Sequence, residues 1–564
     1  MSNSVASSVV SNPGKYSVPP EIRALKPKDV SCLVKKIDGG FYVYEHLRID
    51  DPKRPGKKKN ATGTYLGKIV DGKYIPHKQE QKSIIDSDDY DNLDYGAYAI
   101  ALSCSKSVFD RISNVFTNVK DATLIYVVSI IYFVNHYVPA RDLREIFIQS
   151  FLCKKYSIAT LSENKVGEFL EKLGRHSKKR LQFEQSLIDN GSNTYNIDGH
   201  VILCCSRNNE LADYGSKYEE LGDTQANFMF VFDAKNKRPV ASHAFDGGIP
   251  DKLAVKDTLK AHKFENARFR MDSGFYAEDN FELYRENNCT FIIPIPGTTN
   301  LKKSVMKRLS FESSFIHERT NSHNCKEYSS IQYQVFTVQQ VSDMVWEDTK
   351  DRSRQINEER LANLKEGEKL KKHYPKREEY SFPNDRIIVY KDSLMYEKLV
   401  YDYKKCIGDG RHTEEDLARL EPGFGIILLR TNDLISTPKD IYVEYKGRWS
   451  VETFYDYVEN GVSFKALHEE NYYVQQAIAF LMTIEGCIYS EVQHMVEEAT
   501  ASYVHNMSID ECIRIAGRLK LSQHCDNTWH ANTMKGKIND MFTYFGVQVQ
   551  EDIKFLDTFC RGSE

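Results

Sequence analysis

The order of elements between residues 194 and 295 constrains this chain more than any other feature. Tyr195-Asn-Ile-Asp198-Gly-His-Val-Ile-Leu-Cys204 reads as a strand, Phe228-Met-Phe-Val-Phe-Asp233 as a second and Pro239-Val-Ala-Ser-His-Ala-Phe245 as a third. Each is a short run of β-branched and aromatic residues between breaks in the pattern. Pro250-Asp251 then opens a helix with Asp251 at its N-cap. Ala267-Arg-Phe-Arg-Met-Asp272 is a fourth strand, Ala277 to Glu286 a helix, and Thr290-Phe-Ile-Ile-Pro-Ile295 a fifth strand. Two aspartates, Asp198 and Asp272, fall at or near strand ends. Taken singly each is an ordinary turn or cap residue; their joint placement in this order is what draws attention.

Three strands, a helix, a strand, a helix and a strand is the order of an RNase-H-like core. Its last helix does not follow at once, because residues 300–432 intervene. That segment carries short strands near 330–338, a charged helical run from Asp351 to Lys372, and further strands at Arg386–Tyr390 and Gly425–Arg430. The expected fold class is therefore α/β: an RNase-H-like catalytic core interrupted by a mainly β insertion, with helical N-terminal and C-terminal regions. After the insertion comes Tyr445-Lys-Gly-Arg448-Trp-Ser-Val-Glu452. On a helix the spacing i, i+3, i+7 puts Tyr445, Arg448 and Glu452 on one face. Such a row is no core stripe. It offers a carboxylate for a metal, and a phenol and a guanidinium for phosphate oxygens. Two strand aspartates with a later helical glutamate can hold two divalent metals against a phosphodiester.

A chain of 564 residues should form several domains. The reading is a disordered tail over 1–21, a β-hairpin module over 22–90, a helical and possible DNA-binding region over 91–190, the first part of the core over 191–299, the insertion over 300–432, the glutamate-bearing core helix over 433–470, and a helical region over 471–564. The hairpin turn Lys53-Arg54-Pro-Gly-Lys57-Lys58-Lys59 is either a DNA-backbone contact or a solvated tip. Mean hydropathy of −0.52 and 28% charged residues describe a soluble protein, and no apolar run reaches membrane-spanning length. Net charge is −4 with pI near 6.5, so local basic patches must carry any nucleic-acid contact. The 12 cysteines include no C-x-x-C pair and read as thiols in a reducing cytoplasm.

Tyr445, Arg448 and Glu452, together with Asp272-Ser-Gly-Phe-Tyr-Ala-Glu-Asp279 and Phe245-Asp-Gly-Gly-Ile-Pro-Asp251, resemble a bacterial insertion-sequence DDE transposase. The resemblance is to the group whose last acid lies in a Y-x2-R-x3-E-x6-K motif. It extends to the hairpin ending Tyr65-Leu-Gly-Lys68 and to Phe147-Ile-Gln-Ser-Phe-Leu152 with Leu161-Ser-Glu-Asn164, and so spans most of residues 40–490. One position departs. The family lysine falls at 459, where this chain has Glu459, on the face of Glu452; Lys465 and Lys446 are the cations that could replace it.

The resemblance implies cutting of transposon ends and joining to target DNA by two-metal catalysis, with Asp198, Asp272 and Glu452 as catalytic metal ligands for two Mg2+ (or Mn2+) ions. It assigns Tyr445, Arg448 and Lys465 to DNA, with Lys57, Lys58 and Lys59 in the hairpin turn. The implied partners are double-stranded DNA, both transposon ends and target, and a second copy of the chain in a synaptic homodimer; no membrane is involved, and the expected location is the cytoplasm, on the nucleoid. Two alternatives stand beside it: an RNase-H-like metal-dependent nuclease that cuts without joining, and a DNA-binding protein with a decayed site, for which Glu459 is the opening. Without metal, clustered carboxylates repel and one should resist ionisation.

Overall fold

The computed structural model describes residues 18–561 except 29, 38, 51–57, 77–91, 157, 159–160, 205, 207, 216–221, 321–324, 366–367, 450–465, 468, 501, 525–527 and 533–535. The chain forms two units, Met1–Tyr90 and Asp91–Glu564.

In the first unit a helical turn, α1 (Pro20–Arg23), precedes β1 (Cys32–Ile37), β2 (Gly40–Asp50), β3 (Lys58–Val70) and β4 (Lys73–Pro76). The strands pair antiparallel in chain order. Strand alternation turns Cys32, Val43 and Ile69 to one face, where Ile22, Leu25 and Phe41 pack on them. Lys58 and Lys59 open β3 opposite Asp50 and Ile49. Lys57 lies outside the described residues.

The second unit begins with β5 (Asn92–Asp94) and a run of helices: α2 (Gly96–Cys104), α3 (Lys106–Val115), α4 (Val119–Asn135), α5 (Leu143–Gln149), α6 (Leu152–Lys155), α7 (Glu163–Arg175) and α8 (Ser177–Asp189). Asn118 caps α4 by accepting from the Lys120 and Asp121 amides. Ser162 stands at the N-cap of α7, but its hydroxyl makes no capping bond.

The core follows as β6 (Thr194–Cys204), β7 (Thr224–Asp233), β8 (Arg238–Asp246), α9 (Asp251–Ala261), β9 (Arg268–Met271), α10 (Asn280–Glu286) and β10 (Thr290–Pro294). β9 lies between β6 and β10 and runs parallel to both, while β7 and β8 continue the other side antiparallel. β7 is buried from Gln225 to Asp233: the apolar run Phe228–Phe232 fills the core, and the buried polar residues Gln225, Asn227 and Asp233 each make hydrogen bonds.

The intervening segment holds α11 (Asn300–Met306), β11 (Ser313–Thr320), β12 (Lys326–Thr337), α12 (Val338–Ala362), β13 (Arg386–Asp392), α13 (Ser393–Gly408), α14 (Glu414–Leu420) and β14 (Ile426–Thr431). It is not the mainly β insertion expected: α12 and α13 are longer than any of its strands. Nor do its strands form a sheet of their own. β14 pairs with β10, so the order runs β11-β12-β13-β14-β10-β9-β6-β7-β8 in one mixed sheet. The apolar run of β14 finds its partner in the otherwise open edge of β10. The charged run expected from Asp351 belongs to a helix that starts earlier, at a Thr337–Gln340 capping box, and ends at Ala362.

After β14, α15 (Pro438–Lys446) starts at a Thr437–Asp440 capping box with proline in its first turn. β15 (Ala466–Leu467) pairs with β6, and α16 (Tyr472–Glu497) is buried over most of its length. Gly174 on α7 lets α16 approach; a Cβ there would lie 1.8 Å from the Tyr473 carbonyl oxygen. Gln476 on α16 completes the edge strand β8, its amide bonding both the N–H and the C=O of Ala244. Among the described residues no helix is long and apolar enough to cross a membrane.

Candidate active site

Asp198 and Asp272 meet because β6 and β9 are parallel neighbours. Ile197 pairs with Met271, so the next residue along each chain segment is an aspartate. Asp272 lies just past the end of β9; Asp198 lies midway along β6, not at a strand end as expected, because β6 runs on to Cys204 against β7. The carboxyl ends of parallel strands are the usual location of α/β sites. Each carboxylate is oriented by the amide that follows it. Gly199 N–H donates to Asp198 Oδ1 at 3.0 Å, and Ser273 N–H donates to Asp272 Oδ1 at 2.6 Å. Asp272 is exposed and caps a 3-10 turn over Ser273–Phe275; Asp198 is half-buried.

Arg448 closes the site, with Nη1 4.0 Å from Asp198 Oδ2. It is carried there by a residue that sequence reasoning passed over. Arg270 is buried on β9, bonds Asn196 Oδ1 at 2.7 Å, and donates through Nη1 to the Glu444 carbonyl at 2.9 Å. It thereby ties the end of α15 to the strand that leads into Asp272. The signal was present: two arginines, Arg268 and Arg270, in an otherwise apolar strand are rarely buried without partners. Burial pulls Arg270 down to about 10, and Arg448 and Arg268 nearby act in the same direction against Glu444.

Burial also pushes the Asp198 carboxyl up to about 6; Asp272 and Asp251 add to the rise, while Arg448 and the Gly199 amide oppose it. Burial, more than the repulsion expected among clustered acids, makes this carboxyl reluctant to ionise. A carboxyl whose folded pKa is raised stabilises the fold fully below its unfolded pKa, and that contribution is lost as pH rises through the folded value. In metal-free protein the loss falls between about pH 4 and 6. Asp198→Asn should therefore raise stability at pH 7 by about 2 kcal/mol, read as a higher melting temperature in chelator, and the gain should vanish at pH 4. Equal melting of the two proteins at pH 7 would contradict it.

The helix expected to carry all three motif residues is broken. α15 ends at Lys446, and Gly447–Trp449 form a 3-10 turn. Tyr445 packs, partly buried, on the apolar cluster of Ile292, Ile388, Tyr390, Leu429 and Ile441. Arg448 instead stands beside Asp198. Lys446 faces away from the aspartates; its ammonium lies 3.6 Å from Asp392 and 5.4 Å from the Tyr442 ring centroid. Glu452, Glu459 and Lys465 lie outside the described residues. Asp233 and His200 take structural roles. Asp233 binds Ser192 and the turn amides of Lys235 and Asn236, and His200 is a buried strand residue.

Among the described residues, no three His, Cys, Asp or Glu side chains are gathered as a ready metal cage. The two that do converge offer only carboxylate oxygens, a donor set suited to a hard divalent cation and not to zinc.

A family model described as a transposase DDE domain matches residues 197–484, half of the chain. The match starts one residue before Asp198 and takes in Asp272, the intervening segment, Arg448 and Glu452. The chain belongs to the DDE transposase family. It is thus a DDE-type transposase, an enzyme of a family that generally uses divalent metal ions. No curated protein matches the chain. Among solved structures it is similar to a piggyBac transposase in a synaptic complex with hairpin DNA, seen by cryo-electron microscopy. That similarity is 8% identity and a TM-score of 0.33 over 83% of this chain and 79% of the other; a likeness this low says nothing further of fold or function.

Proposed function

We propose that the transposase cuts double-stranded DNA at transposon ends and joins them to target DNA, by phosphodiester hydrolysis followed by transesterification, as bacterial insertion-sequence enzymes with the Y-x2-R-x3-E-x6-K motif do. The observation that carries it is the pair Asp198, midway along β6, and Asp272, just past the end of the adjacent parallel strand β9, with Arg448 against the first. In this reading β6 to β10 are an RNase-H-like core, and Asp198, Asp272 and Glu452 hold two Mg2+ (or Mn2+) ions. Bound ions of this kind stabilise phosphate oxygens and acidify a bound water.

The protein's own groups do the rest. Asp198, raised to about 6 by burial, is mostly ionised at pH 7 and can take a cation there, but gives it up to protons as pH falls below 6. Arg448 offers a planar fork to a phosphate that enters beside Asp198. Arg270 fixes the end of α15 from which Arg448 projects. Tyr445, Lys465, Lys57 and the β3 residues Lys58 and Lys59 provide further DNA contacts, and a homodimer holds two ends together on DNA in the cytoplasm.

The test incubates the protein with duplexes carrying the element's own flanking ends, in Mg2+ and in Mn2+, with a supercoiled target. End-specific nicks and strand-transfer products are the expected result. Nicks without transfer would move the assignment to a nuclease of the same fold. End binding without cleavage in either metal would point to a decayed site, and Glu459→Lys would then be the informative variant.

A further inference from the structure

Asp251 lies outside the acidic trio and at the start of α9, where Pro250, not Asp251, holds the N-cap. A carboxylate in a first helical turn is favoured by the helix dipole, and that alone would explain it. Its surroundings go further. Asn227, on β7 and only 2% exposed, donates through Nδ2 to Asp251 Oδ1 at 2.8 Å. The Asn227 Oδ1 accepts no hydrogen bond among the described residues. A buried amide left half satisfied is costly, on the order of 1–3 kcal/mol, so this pair is held for its geometry.

The two oxygens of Asp251 face the two backbone segments that carry the site. A Cβ built on Gly199 would lie 3.0 Å from Asp251 Oδ1 and 3.1 Å from Asn227 Oδ1. One built on Gly274 would lie 3.4 Å from Asp251 Oδ2. Gly199 is the residue whose amide orients Asp198, and Gly274 follows the Ser273 amide that orients Asp272. One carboxylate therefore abuts both backbones beside the two aspartates, within β6 and just past β9, and the space at Gly199 admits no larger residue unless the pair gives way.

We propose that Asp251, braced by Asn227, is a positioning residue that sets the spacing between Asp198 and Asp272. It rests on the reading of those two aspartates as metal ligands. Asp251 acts by shape: its oxygens wedge between Gly199 and Gly274 and it need not touch metal or DNA. Asparagine at 251 keeps the wedge, alanine removes it, and a methyl at 199 displaces it.

The experiment is a Mn2+ titration of the full chain without DNA, following free Mn2+ by electron paramagnetic resonance. The proteins are wild type, Asp251→Ala, Asp251→Asn, Gly199→Ala and Asp272→Ala, each checked by its melting temperature in chelator. Wild type should bind and Asp272→Ala should bind far more weakly. Asp251→Ala and Gly199→Ala should each lose about tenfold in Mn2+ affinity, the scale for residues that orient ligands, with Asp251→Asn staying within about threefold of wild type. Wild-type affinity in Asp251→Ala would overturn the positioning role alone. Equal losses in Asp251→Asn and Asp251→Ala would overturn it in favour of a charge role. Absence of Mn2+ binding by wild type, or binding untouched by Asp272→Ala, would overturn both this inference and the metal-ligand reading beneath it.

Discussion

Asp272→Ala should abolish end cleavage while leaving the fold intact. Asp272 is exposed, and among the described residues its carboxylate accepts a hydrogen bond only from the adjacent Ser273 amide. Removing it takes away little packing, so melting temperature and circular dichroism should match wild type. What it removes is one of two carboxylates facing the same sheet edge. Loss of a group that holds a catalytic metal forfeits several kcal/mol of transition-state stabilisation. At about 4 kcal/mol the rate falls roughly a thousandfold. Cleavage of labelled transposon ends at saturating Mg2+ reads this directly. Cleavage within tenfold of wild type would remove Asp272 from the catalytic assignment.

Arg430→Met should have the opposite profile, with the largest effect on stability. Arg430, on β14, has a side chain that is 0% exposed. Its Nη1 donates to Tyr276 Oη at 3.0 Å and to Glu278 Oε1 at 2.6 Å, and its Nη2 donates to the Ser381 carbonyl at 2.6 Å. Both Nε and Nη2 lie 3.2 Å from Asp385 Oδ2, and the guanidinium stacks 4.1 Å from the Phe281 ring centroid. Methionine fills most of the volume but takes the cation away from Glu278 and Asp385; Glu278 keeps its hydrogen bonds from Tyr276 and Ser381. Breaking one partner out of a buried ion pair costs about 3–5 kcal/mol; Arg285 still pairs with Asp385, which sets the expectation at about 3 kcal/mol. Urea unfolding checks it through a lower midpoint at unchanged slope. Tyr276 and Glu278 follow the turn that Asp272 caps, so cleavage should decline along with stability. A variant as stable as wild type would mean the cluster is solvated and not a clamp.

Much of the core was legible without coordinates. β6 through β10 lie where alternation and turn residues put them, because each is a short run of β-formers whose burial pattern is local. Asp272 could be placed at the end of its strand for the same reason, whereas Asp198 falls midway along β6, which continues to Cys204 by pairing with β7. The family resemblance agrees with the transposase DDE domain match over 197–484. The single-helix reading of Tyr445 to Glu452 did not survive Gly447, which ends α15 in a 3-10 turn and sends Tyr445 to an apolar cluster and Arg448 to Asp198. Periodicity measures spacing along a helix and is blind to where the helix stops.

What the chain's own pattern determined is the identity and order of its elements and the chemistry its acids offer, since both follow from neighbours a few residues apart. Only the tertiary structure decided which elements touch. The intervening segment joins the core sheet through β14 and β10, whose paired residues Ile292 and Thr431 are 139 positions apart in the chain. Arg270 reaches Glu444, and Asp251 settles between Gly199 and Gly274. These contacts depend on strand order and on the space left by absent side chains. Both are set by the packing of distant segments, and neither leaves a periodic trace in the sequence.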